Sequence, residues 1–363
     1  MGWHSNAPTL GMLSVGRDNH LNLIRALAAV GVLVSHAYPL VLGEGSVAPL
    51  KALFDENLGS ICVVIFFAIS GFLVVKSAER KNDPLLWAYA RAARIMPGLI
   101  VALIVIVTVL GPAVTSVSVL DYVMDPHVYF YVLRNASLVH QQTNLPGVFE
   151  NAPLWPTVNG SLWTLHAEAL CYLAVFSCIL IARGKLRAIL IIAVGIFLFV
   201  YALSTVTGEK YTWSYFNRGA LKYGLPFSIG VLCALHQDRI PLTLPIFAGF
   251  AVLWFAFRDT ALAYEVLALA ISYGTFWAAF RFKGRLLIYN RVGDFSYGLY
   301  IYAWPIQQLG IEWQITHTPL QNILWSFPIT LALAVASWHF VERPSISGFR
   351  SYSISIEKNE ARI

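Results

Sequence analysis

The sequence predicts an all-α polytopic membrane protein: a bundle of about ten transmembrane helices with both termini on the cytoplasmic side. Three observations lead there. Hydrophobic residues make up 58% of the 363 and charged residues only 12%, with a mean hydropathy of +0.65; a soluble domain carries about a quarter charged residues. The apolar residues come in runs long enough to cross a hydrocarbon core of ~30 Å, which takes about 20 helical residues. Lys and Arg gather on alternate connections between those runs, the pattern of the positive-inside rule.

Residues 1–20 have no basic start, short apolar core or small-residue cleavage site. They are expected to form a cytoplasmic N-terminal segment, with the first span as its own insertion signal. Spans fall near 21–42, 58–77, 95–114, 161–182, 186–206, 219–236, 240–257, 260–280, 293–311 and 321–341. Segment 78–96 mixes bases with Trp87 and Tyr89 and reads as an amphipathic cytoplasmic helix leading into the third span. The connection 115–160 begins with a stretch, 115–142, that is interfacial, re-entrant or a poor span. It ends in a Pro-, Asn- and Gly-rich loop. With the N-terminus inside, eighteen of the 25 Lys and Arg residues fall on inside segments, six fall outside, and Arg25 lies within the first span. An odd number of spans would break that bias. The transmembrane domain is therefore 21–344 and the cytoplasmic tail 345–363. The net charge of +6 follows topology and does not point to nucleic acid. Four cysteines, Cys62, Cys171, Cys178 and Cys233, all sit in apolar runs. No disulfide framework, metal site or permanently bound cofactor is expected from them.

Ionisable groups inside such runs are where function is sought first. In "RALAAVGVLVSH", Arg25 and His36 are eleven residues apart. That spacing returns a helix to within about 20° of its start after a rise of roughly 16 Å, so both lie on one face with Asn22, Ala29 and Val32. A snorkelling arginine and an interhelical hydrogen-bonding histidine are the plain readings. Together the two outline a polar track suited to a long ligand with an anionic head and a reactive tail. In "GSLWTLHAEALCY", Ser161, Thr164, Glu168 and Tyr172 share a helical face. Glu168 reaches about the depth of His36, counting ~1.5 Å per residue. It is expected either to pair with His36, orienting it as a base, or to pair structurally with another donor. His166 points away and reads as packing.

Ser70-Gly71 in "VIFFAISGFLVVK" either lets helices approach closely or opens space for a thin ligand arm. In "GDFSYGLYIYAWPIQQ", Ser296, Tyr300, Ala303 and Gln307 form a stripe, and Gln307 and Gln308 are polar in an apolar run. Arg218 and Lys222, one turn apart, either anchor an interface or hold an anionic acceptor. Glu342-Arg343 in "WHFVERP" reads as charge balance at a helix end.

These runs, with "ARAARIMPG" and "LPFSIGVLCA", occur in an order that resembles the acyltransferase family 3 membrane proteins, from residue 21 to 344. The resemblance implies a multi-pass enzyme of the bacterial cytoplasmic (inner) membrane. Such an enzyme takes an acyl group, usually acetyl, from cytosolic acyl-CoA as co-substrate. It passes the group to a hydroxyl of a cell-surface or lipid-linked glycan. By the resemblance His36 is the catalytic histidine, with Glu168 as the functional glutamate. Arg25, Arg91 and Arg94, with Ser70 and Gly71 beside the track, are expected to meet acyl-CoA. Ser161, Thr164, Tyr300, Gln307, Arg218 and Lys222 are the candidates for the acceptor. Many members carry Asp where this chain has Asn22, which leaves Arg25 without that carboxylate partner. Many also carry a histidine where this chain has Ala303. No hydrolase-like domain is expected after the last span. The rival reading is a transporter or flippase for a glycolipid or anionic small molecule. Transporters often show paired halves with interrupted helices, and no such internal echo is found in this sequence.

Overall fold

In the computed structural model the described residues are 7–16, 18–80, 83–154, 156–207 and 215–360, with the side chains of 215–218 and 354–360 outside the description. Among them the secondary structure is helical, apart from one isolated bridge between Thr9 and Pro241. The longer helices are α1 (Leu21–Leu42), α2 (Leu58–Arg80), α3 (Pro84–Val105), α4 (Val119–Met124), α5 (Pro126–Ser137), α6 (Trp163–Ile181), α7 (Leu186–Val206), α8 (Tyr215–Leu235), α9 (Leu244–Phe257), α10 (Ala263–Arg281), α11 (Ser296–Glu312), α12 (Pro319–Ser337) and α13 (Arg343–Glu360).

Seven helical stretches are long and apolar enough to cross a membrane: Leu21–Leu42, Leu58–Arg80, Pro84–Val114, Gly160–Ile181, Leu186–Val206, Ala263–Arg281 and Pro319–Ser353. The expected ten would also require α8, whose apolar described part is Gly219–Leu235, the 14-residue α9 and the 17-residue α11. The stretch 115–142 forms the short helices α4 and α5. The 12 residues of α5 rise only about 18 Å, too little to span as a helix.

The helix expected to lead into the third span does so without a break. The amphipathic segment and the span are a single helical run, Pro84–Val114, of 31 residues. Asp83 caps its start by accepting from the backbone N–H groups of Leu85 and Leu86, with Pro84 in the first turn. A one-turn π segment, Ile106–Leu110, carries it on to Val114. Pro97 lies inside the run without ending it. Proline lacks the N–H that would bond the carbonyl four residues back, here that of Ala93. Ser345 Oγ donates to that carbonyl at 3.1 Å. The same repair recurs at two more interior prolines. Pro226 frees the Lys222 carbonyl, which accepts from Tyr264 OH at 2.8 Å, and Pro305 frees that of Ile301, which accepts from Asn159 Nδ2 at 2.8 Å.

The helices group into two compact units. The first comprises 1–28, 60–82 and 167–294; the second comprises 29–59, 83–166 and 295–363. In the first, α2 and α8 meet backbone to backbone through two glycines. A Cβ on Gly71 would collide with the Phe227 carbonyl oxygen, and one on Gly230 with that of Ala68. The N-terminal turn Leu10–Leu13 is tied in by Leu10 N–H to Ile240 O at 2.8 Å, and Lys76 Nζ reaches Ser14 Oγ at 2.8 Å. In the second, α11 packs along α12, whose start is closed by a capping box between Thr318 and Gln321. Gly298 faces Ala334 so closely that a Cβ would lie 2.6 Å from its Cα. α12 runs through a π turn, Trp338–Glu342, into α13, where Tyr89 of α3 meets the Phe349 ring edge-on at 5.1 Å.

The glycine contacts in the first unit have a measurable consequence. Gly71→Val and Gly230→Val should each lower stability by about 1–3 kcal/mol or more, the usual cost of overpacking, read as a lower melting temperature in detergent. Gly195 has nothing within 4 Å of an added Cβ. Gly195→Ala should therefore match or slightly exceed the parent, since alanine is favoured over glycine in a helix by about 1 kcal/mol.

Candidate functional site

Arg25 heads α1 in the first unit, and its environment supplies what Asn22 does not. Arg25 Nη1 donates to Asp294 Oδ2 at 2.8 Å, with the two side chains 14% and 7% exposed. The guanidinium also stands over the Phe66 ring, 5.9 Å from its centroid. One turn before Asp294, Asn290 Nδ2 donates to the Asn19 carbonyl at 2.8 Å. Asn290 and Asp294 thus clamp the start of α1 at two points. A buried charge needs such a partner. The missing carboxylate is Asp294, 269 residues away in sequence.

Glu168, also in the first unit, has its hydrogen bonds there. Its Oε1 accepts from Ser70 Oγ at 3.1 Å and from Tyr172 OH at 2.5 Å, and the two hydroxyls lie 3.0 Å apart. Within its unit Glu168 thus has two hydroxyl donors, Ser70 and Tyr172. Ser70 is therefore placed with Glu168. The face of Gly71 that was read as possible ligand space is filled by the Phe227 backbone.

His36 lies in the second unit on the same helix as Arg25, part-covered, with its Nδ1 buried and without a hydrogen-bond partner. Its ring meets Trp304 edge-on, with centroids 4.8 Å apart and planes at 75°. Trp304 is fixed in turn, since its Nε1 donates to the Thr157 carbonyl at 3.0 Å. A side chain at Gly160 would strike the indole at 2.6 Å. Gln308 Nε2 shares that Thr157 carbonyl at 3.3 Å. Gln307 Nε2 donates to the Leu33 carbonyl, one turn before His36, at 2.9 Å. Asn322 Nδ2 then donates to the Gln307 carbonyl at 3.0 Å. The amide oxygens of Gln307, Gln308 and Asn322 and the Ser161 hydroxyl are buried without partners. Such atoms are rare in folded proteins and call for a water, an ion or a ligand. Of these residues Gln307 is bonded to the helix that carries His36, at Leu33.

Two acceptor candidates are brought together, for Thr164 Oγ1 and Tyr300 OH lie 2.6 Å apart. His166 does not pack passively. Its Nδ1 lies 2.6 Å from the Leu138 carbonyl, as a hydrogen bond from the ring would require. Arg91 and Arg94 are half-buried on α3 and share a helical face with Gly98. That face meets Glu342, because a Cβ on Gly98 would lie 3.4 Å from Glu342 Cγ. Glu342 is 3% exposed and accepts from Ser337 Oγ at 2.7 Å. The π turn that contains it adds a residue to the turn and swings it inward. Lys222 is half-buried with its ammonium 5.0 Å from the Tyr264 centroid. The Arg218 side chain lies outside the described residues.

Sequence reasoning missed Asp294, Trp304 as the support of His36, and the buried stripe Asn322, Ser326 and Thr330 on α12, each 0% exposed. The stripe's spacing of four was available as a signal, since residues four apart share a helix face. Among the described residues no cluster of His, Cys, Asp and Glu is arranged to hold a metal ion.

A family model described as an acyltransferase domain matches residues 18–339. An O-acetyl transferase of Shigella phage Sf6 is 28% identical over 339 residues, covering 90% of this chain and 96% of the relative. Nodulation protein 10 of Rhizobium leguminosarum bv. viciae is 28% identical over 367 residues, covering 92% and 94%. No solved structure matches.

The Arg25–Asp294 pair makes a direct prediction. Removing one partner of a buried pair costs about 3–5 kcal/mol because the other is stranded. Asp294→Ala and Arg25→Ala should each destabilise strongly, while the double variant loses much less than the sum. A thermodynamic cycle from denaturant unfolding in mixed micelles reads the coupling, and additive losses would mean that the two charges act independently.

Proposed function

The chain belongs to acyltransferase family 3, and from that premise we propose that it is a membrane O-acyltransferase. On this reading it moves an acyl group, acetyl foremost, from cytosolic acyl-CoA to a hydroxyl of a cell-surface or lipid-linked glycan, in a bacterial cytoplasmic membrane. The observation that carries the reading is His36: a part-covered imidazole with a buried, unpartnered Nδ1, edge-on to Trp304, on a helix that Gln307 bonds at Leu33.

Acyl-CoA enters with its phosphates toward Arg25, Arg91 and Arg94, whose forked donors suit phosphate oxygens. Asp294 is a positioning residue here. It holds the Arg25 guanidinium in one orientation against an apolar background. Arg25 and His36 lie on one face of α1, about 16 Å apart along the helix axis, a length that a pantetheine arm can follow. The thioester is thereby presented near His36 while the nucleotide stays at the other end. The donor usual among members the chain resembles and the cation-to-imidazole spacing support this reading.

The buried Nδ1 leaves Nε2 as the reacting nitrogen. Nε2 takes the proton of the acceptor hydroxyl as that oxygen attacks the thioester carbonyl. The C–S bond breaks, and the departing thiolate takes the proton back from the imidazolium. A two-step route through an acyl-imidazole would use the same nitrogen as nucleophile. Trp304 keeps the ring edge-on and limits its rotation. Glu168, held by Ser70 and Tyr172, is assigned to the same chemistry as the family's functional glutamate.

The acceptor reading rests on hydrogen-bond polarity. The orphan groups of Gln307, Gln308 and Asn322 are amide oxygens, which only accept. Sugar hydroxyls, which donate, are the matching chemistry; Thr164 and Tyr300 add hydroxyls that do either. Arg218 and Lys222 are assigned to an anionic part of the acceptor. The rival transporter reading uses the same polar track, and family membership favours group transfer.

Two outcomes are expected. His36→Ala should lower transfer by at least ~10²-fold, the scale of lost general-base catalysis, with unchanged elution from size exclusion and unchanged acetyl-CoA affinity by calorimetry. Turnover like the parent's would remove His36 from the mechanism. Gln307→Leu with Gln308→Leu should abolish acetylation of surface glycans, measured by mass spectrometry of cells that make the protein, while slow hydrolysis of acetyl-CoA by the purified variant persists. Normal glycan acetylation in that variant would place the acceptor elsewhere.

A further inference from the structure

The loop that ends at residue 160 closes on α11 in the second unit, and it does so beside His36. Asn159 is 1% exposed and uses both ends of its amide. Its Oδ1 accepts from the Ser161 N–H at 3.1 Å, capping the turn that leads into α6, and its Nδ2 donates to the Ile301 carbonyl at 2.8 Å. Two residues earlier, the Thr157 carbonyl accepts from Trp304 Nε1 at 3.0 Å and from Gln308 Nε2 at 3.3 Å. Gly160 lies against the indole, with no room for a Cβ. Val158 is fully buried, and its N–H donates to the Thr143 carbonyl at 2.7 Å. Ile301, Trp304 and Gln308 fall within about 60° of one another around the helix. Residues 157–160 therefore grip one face of α11 over about two turns.

The grip falls where α11 is weakest. Pro305 has no N–H to give the Ile301 carbonyl, and helices bend most readily at such a gap. Trp304 adjoins that proline, and its ring is the one that meets His36 edge-on at 4.8 Å. Without an outside donor, the turn 301–305 would let the indole shift and the imidazole with it. A loop needs only to be closed. This one is closed at the carbonyl that Pro305 frees and at the indole that touches the imidazole.

We propose that Asn159 is a positioning residue for His36. It straps residues 157–160 to α11 and, through the Trp304 indole, holds the imidazole in the orientation that acyl transfer uses. The role in transfer rests on the acyltransferase reading; the mechanical link from Asn159 to the imidazole does not.

The test centres on Asn159→Ser. Serine caps a helix start about as well as asparagine but offers no second polar atom to the Ile301 carbonyl. The first readout needs no substrate. It is the rate at which diethyl pyrocarbonate modifies the His36 imidazole in the purified full chain, followed by peptide mass spectrometry. With the indole released, that rate should rise about tenfold, the scale of a buried hydrogen bond broken with its carbonyl left bare. The exposed His317 should react as in the parent, which marks the variant as folded. In acetyl transfer, kcat should fall by a similar factor while KM for acetyl-CoA stays unchanged. The last readout is coupling. Trp304→Phe keeps a ring beside His36 but has no N–H for Thr157. In that background Asn159→Ser should change His36 reactivity by less than about twofold, because the link it acts through is already cut. Should Asn159→Ser fail to fold, Gly160→Ala takes its place. Its methyl would lie 2.6 Å from the indole Cη2, with both Asn159 bonds kept. It should alter His36 reactivity, and Trp304→Phe, which lacks the struck atom, should cancel that effect. Parental His36 reactivity in Asn159→Ser, or effects of Asn159→Ser and Trp304→Phe that simply multiply, would overturn the proposal. Faster His36 modification in a protein whose parent transfers no acyl group would uphold the link and count against the functional reading instead.

Discussion

A polar group in hydrocarbon must find a partner, because no water is there to supply one. Much of this structure follows from that constraint. Interior prolines strip carbonyls of their helical donors, and Ser345, Tyr264 and Asn159 replace them at Ala93, Lys222 and Ile301. Arg25 is neutralised by Asp294 from the far end of the sequence. Glu168 and Glu342 are both bonded by hydroxyls. These pairings set which helices adjoin which within each unit, and they make conspicuous the few groups that break the rule.

Several of those exceptions lie in the second unit. The His36 Nδ1 and the amide oxygens of Gln307, Gln308 and Asn322 are buried there without a hydrogen-bond partner. The same side chains are otherwise well anchored. Gln307 and Gln308 each give their NH₂ to a backbone carbonyl, at Leu33 and Thr157, and Asn322 gives its own to the Gln307 carbonyl and Thr316. Anchored groups with one unspent acceptor resemble a site built in advance for donors that arrive with a ligand. Preorganisation of this kind avoids reordering the site when the substrate binds.

How much was legible in the sequence follows from the range of each interaction. Hydrophobic runs located α1, α2, α6, α7, α10 and α12 to within a few residues, because helix formation in lipid is set by local composition. The Arg25–His36 spacing and the intramembrane Glu168 were equally visible, as charges where charges are costly. The Asp294 partner was not, since no local pattern links residues 269 positions apart. The continuity of Pro84–Val114 was obscured by Pro97, whose cost is offset by Ser345 from another helix. The burial of Glu342 was not visible, because the π turn that holds it has no simple signature. The contact of Trp304 with His36 likewise joins positions that no local pattern links.

The account turns on whether a thioester held by the arginines reaches His36. S-(bromoacetyl)-CoA, an electrophilic mimic of acetyl-CoA, reports this directly when incubated with the purified protein and followed by peptide mass spectrometry. The account predicts alkylation of the His36 imidazole, suppressed by excess acetyl-CoA. Label confined to other residues, with His36 unmodified in protein whose activity has been lost, would contradict it.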